Sequence, residues 1–166
     1  MLFAVIIGVI AGCSARAGRK AWGMLCPHLF STTESRLMPL VRIDHGQHHP
    51  AGFGQAVGEV VYRAMIEEIN VPADDKFQII TSHPGTALNV APSYLGIEYS
   101  ANIVFIQVTL NAGRSIELKK KFYRRIADDL SKELGMRQQD VFISLVEVAK
   151  ENWSFGNGEM QYGPAS

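Results

Sequence analysis

The chain has 166 residues, 47% of them hydrophobic and 19% charged, and its 16 basic side chains balance 16 acidic ones. That is the composition of one ordinary globular domain, and neutrality without long Lys/Arg runs disfavours nucleic acid or an anionic membrane surface as a partner. Cys13 and Cys26 both fall near the amino terminus, so the rest of the chain has no thiol for a disulfide, a zinc site or a nucleophile and must be held by its apolar core.

Residues 1–37 read as an amino-terminal extension and residues 38–166 as the domain proper. Leu2 to Gly12 is an apolar run too short to span a bilayer as a helix. Three readings of the extension compete. Ile10-Ala11-Gly12-Cys13 resembles a bacterial lipobox, which implies export or a lipid anchor through Cys13, although no Lys or Arg precedes the apolar run. Translation from Met38 makes the segment an upstream artefact and the protein cytoplasmic; this reading is preferred. The third is a plain structural extension.

From Met38 the pattern becomes regular. Leu40 to Ile43 reads as a short strand and His45 to Gly54 as a loop. Val57, Val60, Val61, Ala64, Met65 and Ile69 recur at three- and four-residue spacing, the apolar stripe of a helix of about 16 residues that Asn70 and Pro72 terminate. Phe77 to Thr81 reads as a second strand. Ser82 to Ser100, with Pro84, Gly85, Pro92 and Gly96, reads as a long loop holding a small strand near Tyr94–Tyr99. Ile103 to Val108 is the next strand, and its Val/Ile/Phe content reads as buried on both faces. Ser115 can cap a helix whose buried stripe is Phe122, Ile126, Leu130 and Leu134, with Gly135 as its carboxyl-terminal cap. Val141 to Val148 is the fourth main strand.

A shift of about 65 residues lays the second half on the first, pairing Ile69 with Leu134, Val71 with Met136, Asp75 with Asp140 and Phe77 with Phe142. The expected fold is therefore α/β, a tandem β-α-β duplication with a four-stranded sheet and both helices on one face. The other sheet face then needs a cover, and oligomerisation supplies one.

Met38-Pro39-Leu40 before a short strand, in a chain that duplicates a β-α-β unit, resembles the tautomerase superfamily, whose catalytic group is an amino-terminal proline. The resemblance is closest to its malonate semialdehyde decarboxylase-like branch. It rests on that start, on Val71-Pro72-Ala73-Asp74-Asp75-Lys76-Phe77-Gln78, on Phe105-Ile106-Gln107-Val108-Thr109, on Phe122-Tyr123-Arg124, and on Glu151 leading into Asn152-Trp153-Ser154-Phe155-Gly156-Asn157-Gly158. It implies a homotrimer that works without cofactor on a small carboxylated carbonyl or enol compound.

The residues fit that chemistry one by one. Translation from Met38, with the methionine trimmed, leaves Pro39 with a free secondary amine. An α-amino group titrates well below lysine, and apolar surroundings lower it further, so the amine can shuttle a proton near neutral pH. As plain structure, Pro39 merely opens a strand. Arg114 lies in the loop after the third strand, where a guanidinium can grip a carboxylate with two parallel hydrogen bonds. The resemblance assigns it to the substrate carboxylate. The decarboxylase branch has a second arginine two residues earlier, where this chain has Ala112. The resemblance makes Asp75 the acid that works with the proline, whereas its local setting is a turn in which aspartate is common. Trp153 and Phe155 match the apolar wall beside the proline and could equally be core.

His45, His48 and His49 lack metal-site spacing, so no metal is expected. Lys119-Lys120-Lys121 and Arg124-Arg125 read as a solvated helix face. No nucleotide-binding glycine motif or serine-esterase motif is present. The favoured expectation is a tautomerase with Pro39 as proton shuttle, Asp75 as its catalytic partner, and Arg114, Trp153 and Phe155 binding substrate. The alternatives are a cofactor-independent decarboxylase or hydratase of a 3-oxo acid such as malonate semialdehyde, or, if residues 1–37 are retained, a non-enzymatic anchored binding module.

Overall fold

The structure is a computed structural model that describes residues 38–163. The apolar run, Cys13 and Cys26 lie outside the described residues. Six strands and two helices follow in chain order: β1 (Leu40–Gly46), α1 (Phe53–Ile69), β2 (Gln78–His83), β3 (Ser93–Tyr94), β4 (Ile97–Glu98), β5 (Val104–Asn111), α2 (Ile116–Leu134) and β6 (Val141–Val148). The main sheet has the order β2-β1-β5-β6, parallel at each outer pair and antiparallel at the centre. Each parallel pair needs a crossover, which α1 and α2 supply. The molecule is thus two β-α-β units joined along their first strands.

Both helices pack on one sheet face. Val57, Val61, Met65, Phe122, Ile126 and Leu130 meet Val41, Ile43, Val104, Ile106, Val108 and Leu110 in one apolar core. The helix ends follow the sequence signals. The Ser115 hydroxyl accepts from the Leu118 N–H at 3.2 Å, and Gly135 ends α2 at φ 65°, a left-handed conformation that costs glycine little. Asn70 ends α1 at φ 56°, so the repeat reproduces the stop with a different residue. The turns after the helices also match: Asp75 N–H donates to the Pro72 carbonyl at 3.1 Å, and Asp140 N–H to the Arg137 carbonyl at 3.0 Å.

Two expectations change. β1 runs on past its predicted end at Ile43 through Asp44 and then His45 and Gly46, where a loop is predicted, because those residues find ladder partners in Thr81, Ser82 and His83, the last two extending β2 past its predicted end. On β5, Val104, Ile106, Val108 and Leu110 face the core, while on the other face, for which oligomerisation is the expected cover, Phe105 and Thr109 are half-buried and Gln107 exposed within one chain. Arg125, read as solvated, clamps the helices together, pairing with Glu67 of α1 at 2.6 Å and with Asp129 at 2.6 Å. Arg63 of α1 reaches back to Asp129 at 3.5 Å. Lys119 likewise pairs with Glu147 at 2.7 Å. The small strand near Tyr94 is a hairpin, β3 with β4, turning through Leu95 and Gly96, both at positive φ.

Candidate active site

Leu40 pairs with Thr109, so Pro39 enters the sheet at the end where β5 runs out to Asn111. β6, parallel to β5, ends at the same edge with Val148 opposite Asn111. The chain then turns through Lys150–Asn152 and lays Trp153 and Phe155 over that edge. Met38, Pro39, Leu40, Phe77, Trp153, Ser154 and Phe155 line a cavity of about 250 Å³. Pro39 is buried. The Trp153 and Phe155 rings stack at 5.5 Å, and Tyr162 meets Phe155 edge-on at 5.1 Å. Gly156, Asn157 and Gly158 all take positive φ, a reversal that Gly-Asn-Gly permits, and it returns Gln161 to accept from the Phe155 N–H at 2.9 Å. Three of the five residues singled out in the sequence therefore share one cavity.

Arg114 joins it through Asn111. The Asn111 carbonyl accepts from Arg114 Nη1, and its side-chain oxygen accepts from Trp153 Nε1, each at 2.8 Å. The other edge of the guanidinium, Nε with Nη2, is buried and has no hydrogen-bond partner. Those two N–H groups are parallel, the geometry that matches a carboxylate. Burial pulls the Arg114 guanidinium below its ordinary value, and the charge of Glu147 opposes this. The Glu147 carboxyl is held below its own usual range: the hydrogen bond from Lys119 leads, burial works against it, and the Lys119 charge and the N–H groups of Gly113 and Arg114 add to the lowering. Glu147 thus braces the loop that carries the arginine.

Asp75 is only 8% exposed. It sits in the turn two residues before Phe77, whose carbonyl accepts from the Val41 N–H at 3.0 Å, and it is not among the residues lining the cavity. In the 166-residue chain the Pro39 nitrogen is bonded to Met38. The histidines gather elsewhere: His49 stacks on Phe53 at 3.8 Å, with His48 at 4.3 Å and His45 at 5.8 Å. Burial, then the neighbouring His48 and His45, lower the His49 pKa despite a hydrogen bond with the Asn102 backbone. No group of three or more His, Cys, Asp or Glu among the described residues could hold a metal ion, and none of the described helices is long and apolar enough to cross a membrane.

Asn111, Glu147 and Phe77 are the site residues that sequence reading misses. Phe77 had a signal in its repeat partner Phe142. Asn111 had little, because Asn-Ala-Gly reads as a turn and strand alternation does not place its side chain inside. At the opposite end of the sheet a second cavity of about 300 Å³ includes Leu88, Val90 and Ile103 in its lining. These lie 65 residues from Trp153, Phe155 and Met38, so the duplication has produced two cavities and furnished them differently.

Comparison with known proteins agrees with this fold. A family model described as "Tautomerase enzyme" matches residues 75–156. The probable tautomerase YusQ of Bacillus subtilis (strain 168) is 40% identical over 124 residues, which cover 75% of this chain and 98% of that protein. The chain belongs to the tautomerase superfamily. Within it, the branch is that of malonate semialdehyde decarboxylase: the crystal structure of FG41 malonate semialdehyde decarboxylase inhibited by 3-bromopropiolate matches with a TM-score of 0.68 at 36% identity, over 74% of this chain and 93% of that one. A fused 4-OT, described as a wild-type symmetric trimer, matches with a TM-score of 0.60 at 25% identity, over 72% of this chain and 94% of that one.

Proposed function

We propose that the protein is a tautomerase acting on a small carboxylated carbonyl or enol compound, with Pro39 as its proton shuttle once that residue is the amino terminus. The observation that carries this reading is the cavity formed by Pro39 with Trp153 and Phe155, next to an arginine whose carboxylate-matching edge has no partner. The free amine takes a proton from the enol oxygen, or from the carbon beside a carbonyl, and returns it at the other position. Arg114 holds the carboxylate and steadies the enolate as charge develops. Trp153 and Phe155 exclude water and keep the amine's pKa low, which a base requires. Asp75 is the acid assigned to work with the proline.

A second reading has one specific support, the likeness to malonate semialdehyde decarboxylase. In it a protonated proline acts as acid and Asp75 places water for decarboxylation or hydration of a 3-oxo acid. Ala112, where that branch has a second arginine, favours tautomerisation. We also propose a homotrimer, on the likeness to the trimeric fused 4-OT and on the uncovered sheet face.

Three preparations test the proline: the 166-residue chain, a protein translated from Met38 and trimmed to Pro39, and its Pro39→Ala variant. Phenylenolpyruvate is the substrate, and amino-terminal mass analysis accompanies each assay. An acylated proline nitrogen has its lone pair in amide resonance and is neither acid nor base near neutral pH. The trimmed protein should be active, the full chain nearly inert, and Pro39→Ala reduced but folded. Equal activity in the intact and trimmed chains removes proline from the mechanism.

A further inference from the structure

Asn111, the last residue of β5, is 2% exposed. Its two hydrogen bonds go to two different candidate substrate-binding residues, the backbone carbonyl to Arg114 and the side-chain oxygen to Trp153. An indole N–H only donates, so the amide must turn its oxygen towards Trp153, and its Nδ2 then lies buried without a partner. A buried donor left unpaired is unfavourable, and leucine would fill the same space without it. What the asparagine supplies is an acceptor for the Trp153 indole N–H, so its reason lies in that partner and not in the strand.

The repeat supplies an internal control. Sixty-five residues earlier, at the last position of β1, stands Gly46; in place of Arg114 stands His49, and in place of Trp153 stands Leu88. That half builds the same strand, helix and strand without the asparagine. Asn111 is present where its two partners are present and absent where they are absent, so it belongs to the site and not to the fold.

We infer that Asn111 is the positioning residue of the site: it sets Arg114 and Trp153 relative to each other, and so fixes the spacing between the carboxylate anchor and the apolar wall. The inference rests on the substrate-binding roles proposed above for those two residues. Its consequence is selection by shape. A ligand carrying both a carboxylate and an aromatic group needs both partners in register, whereas a bare carboxylate needs only the arginine.

Binding to the full chain tests this without requiring a free proline. Trp22→Phe leaves Trp153 as the only indole, visible as one N–H resonance. In that background, phenylpyruvate and pyruvate are titrated against the parent and the Asn111→Leu, Asn111→Asp and Arg114→Ala variants. Asn111→Leu should expose the indole N–H to exchange and weaken phenylpyruvate at least tenfold, while pyruvate changes less than threefold. Asn111→Asp retains the acceptor and should keep the indole protected, which makes it the measure of choice if the leucine variant does not fold. Arg114→Ala should weaken both ligands. Unchanged phenylpyruvate binding in Asn111→Leu, equal loss of both ligands in that variant, or an unprotected indole in Asn111→Asp each overturns the positioning role. Unchanged binding of both ligands in Arg114→Ala instead overturns the carboxylate anchor, whatever Asn111 does.

Discussion

Asp75 and Asp140 occupy equivalent turns of the two repeats, and the second shows what such an aspartate does away from the proline. Asp140, 1% exposed, accepts from the Ser100 N–H at 2.7 Å and from the Ser100 hydroxyl at 2.6 Å, tying the segment that leads into β5. Burial of an acid at this turn is thus a property of the repeated unit, and Asp75 owes part of its setting to architecture. For proton shuttling by Pro39, Asp75→Asn in the trimmed protein should leave kcat/KM for tautomerisation within about tenfold, or about 1.4 kcal/mol, and should lower the melting temperature. A collapse of tautomerisation in a folded variant would give the carboxylate the larger role that decarboxylation or hydration assigns to it. At this scale the sequence shows the groups with unusual chemistry, Pro39, Arg114 and the aromatic pair Trp153 and Phe155. It does not show Asn111, whose importance lies in partners brought to it from loops 3 and 42 positions further along the chain.

Among the elements, those with a local cause are the legible ones. The apolar stripes of α1 and α2, the Ser115 cap and the Gly135 stop are written within a few residues, and both helices form accordingly. The added length of β1 is not, because Asp44, His45 and Gly46 are strand only by virtue of what pairs with them. The same holds for the ion pairs of Arg125, where acids of α1 turn a solvated lysine- and arginine-rich face into a clamp. The loop between β5 and α2 is braced from another strand, by the Glu147 carboxylate on β6. A carboxyl held below its unfolded value contributes stability above about pH 4.3 and loses that contribution as pH falls through its lower folded value. Glu147→Gln should therefore be less stable than the parent at pH 7, with a smaller gap at about pH 3. Urea midpoints at the two pH values measure it; a gap of equal size at both would mean that the charge does not brace the loop.

Among the described residues one sheet face is left uncovered, with Ile79 and Phe142 each 41% exposed, Phe105 and Phe142 in ring contact at 5.2 Å, and the His83–Asp44 pair at 2.6 Å standing among them. That face is where the proposed trimer would close. A lysine in place of Phe142 puts a charge into the middle of it, so Phe142→Lys should shift sedimentation from trimer to monomer with the helical circular dichroism retained. A trimer that persists would move the interface elsewhere. The two cavities carry a last consequence. A polypeptide has a single amino end, and duplicating a β-α-β unit within one chain provides two seats for it. The seat beside Leu88 and Val90 meets Ile103, and the residue after it, Val104, which stands 65 positions on from Pro39, is linked on both sides; no substitution can give it a terminal amine. Only a rearranged gene that opened the chain there could do so. The cavity at that end was thereby released from chemistry that its position in the chain forbids, and its lining in the first repeat could diverge to Gly46 and His48.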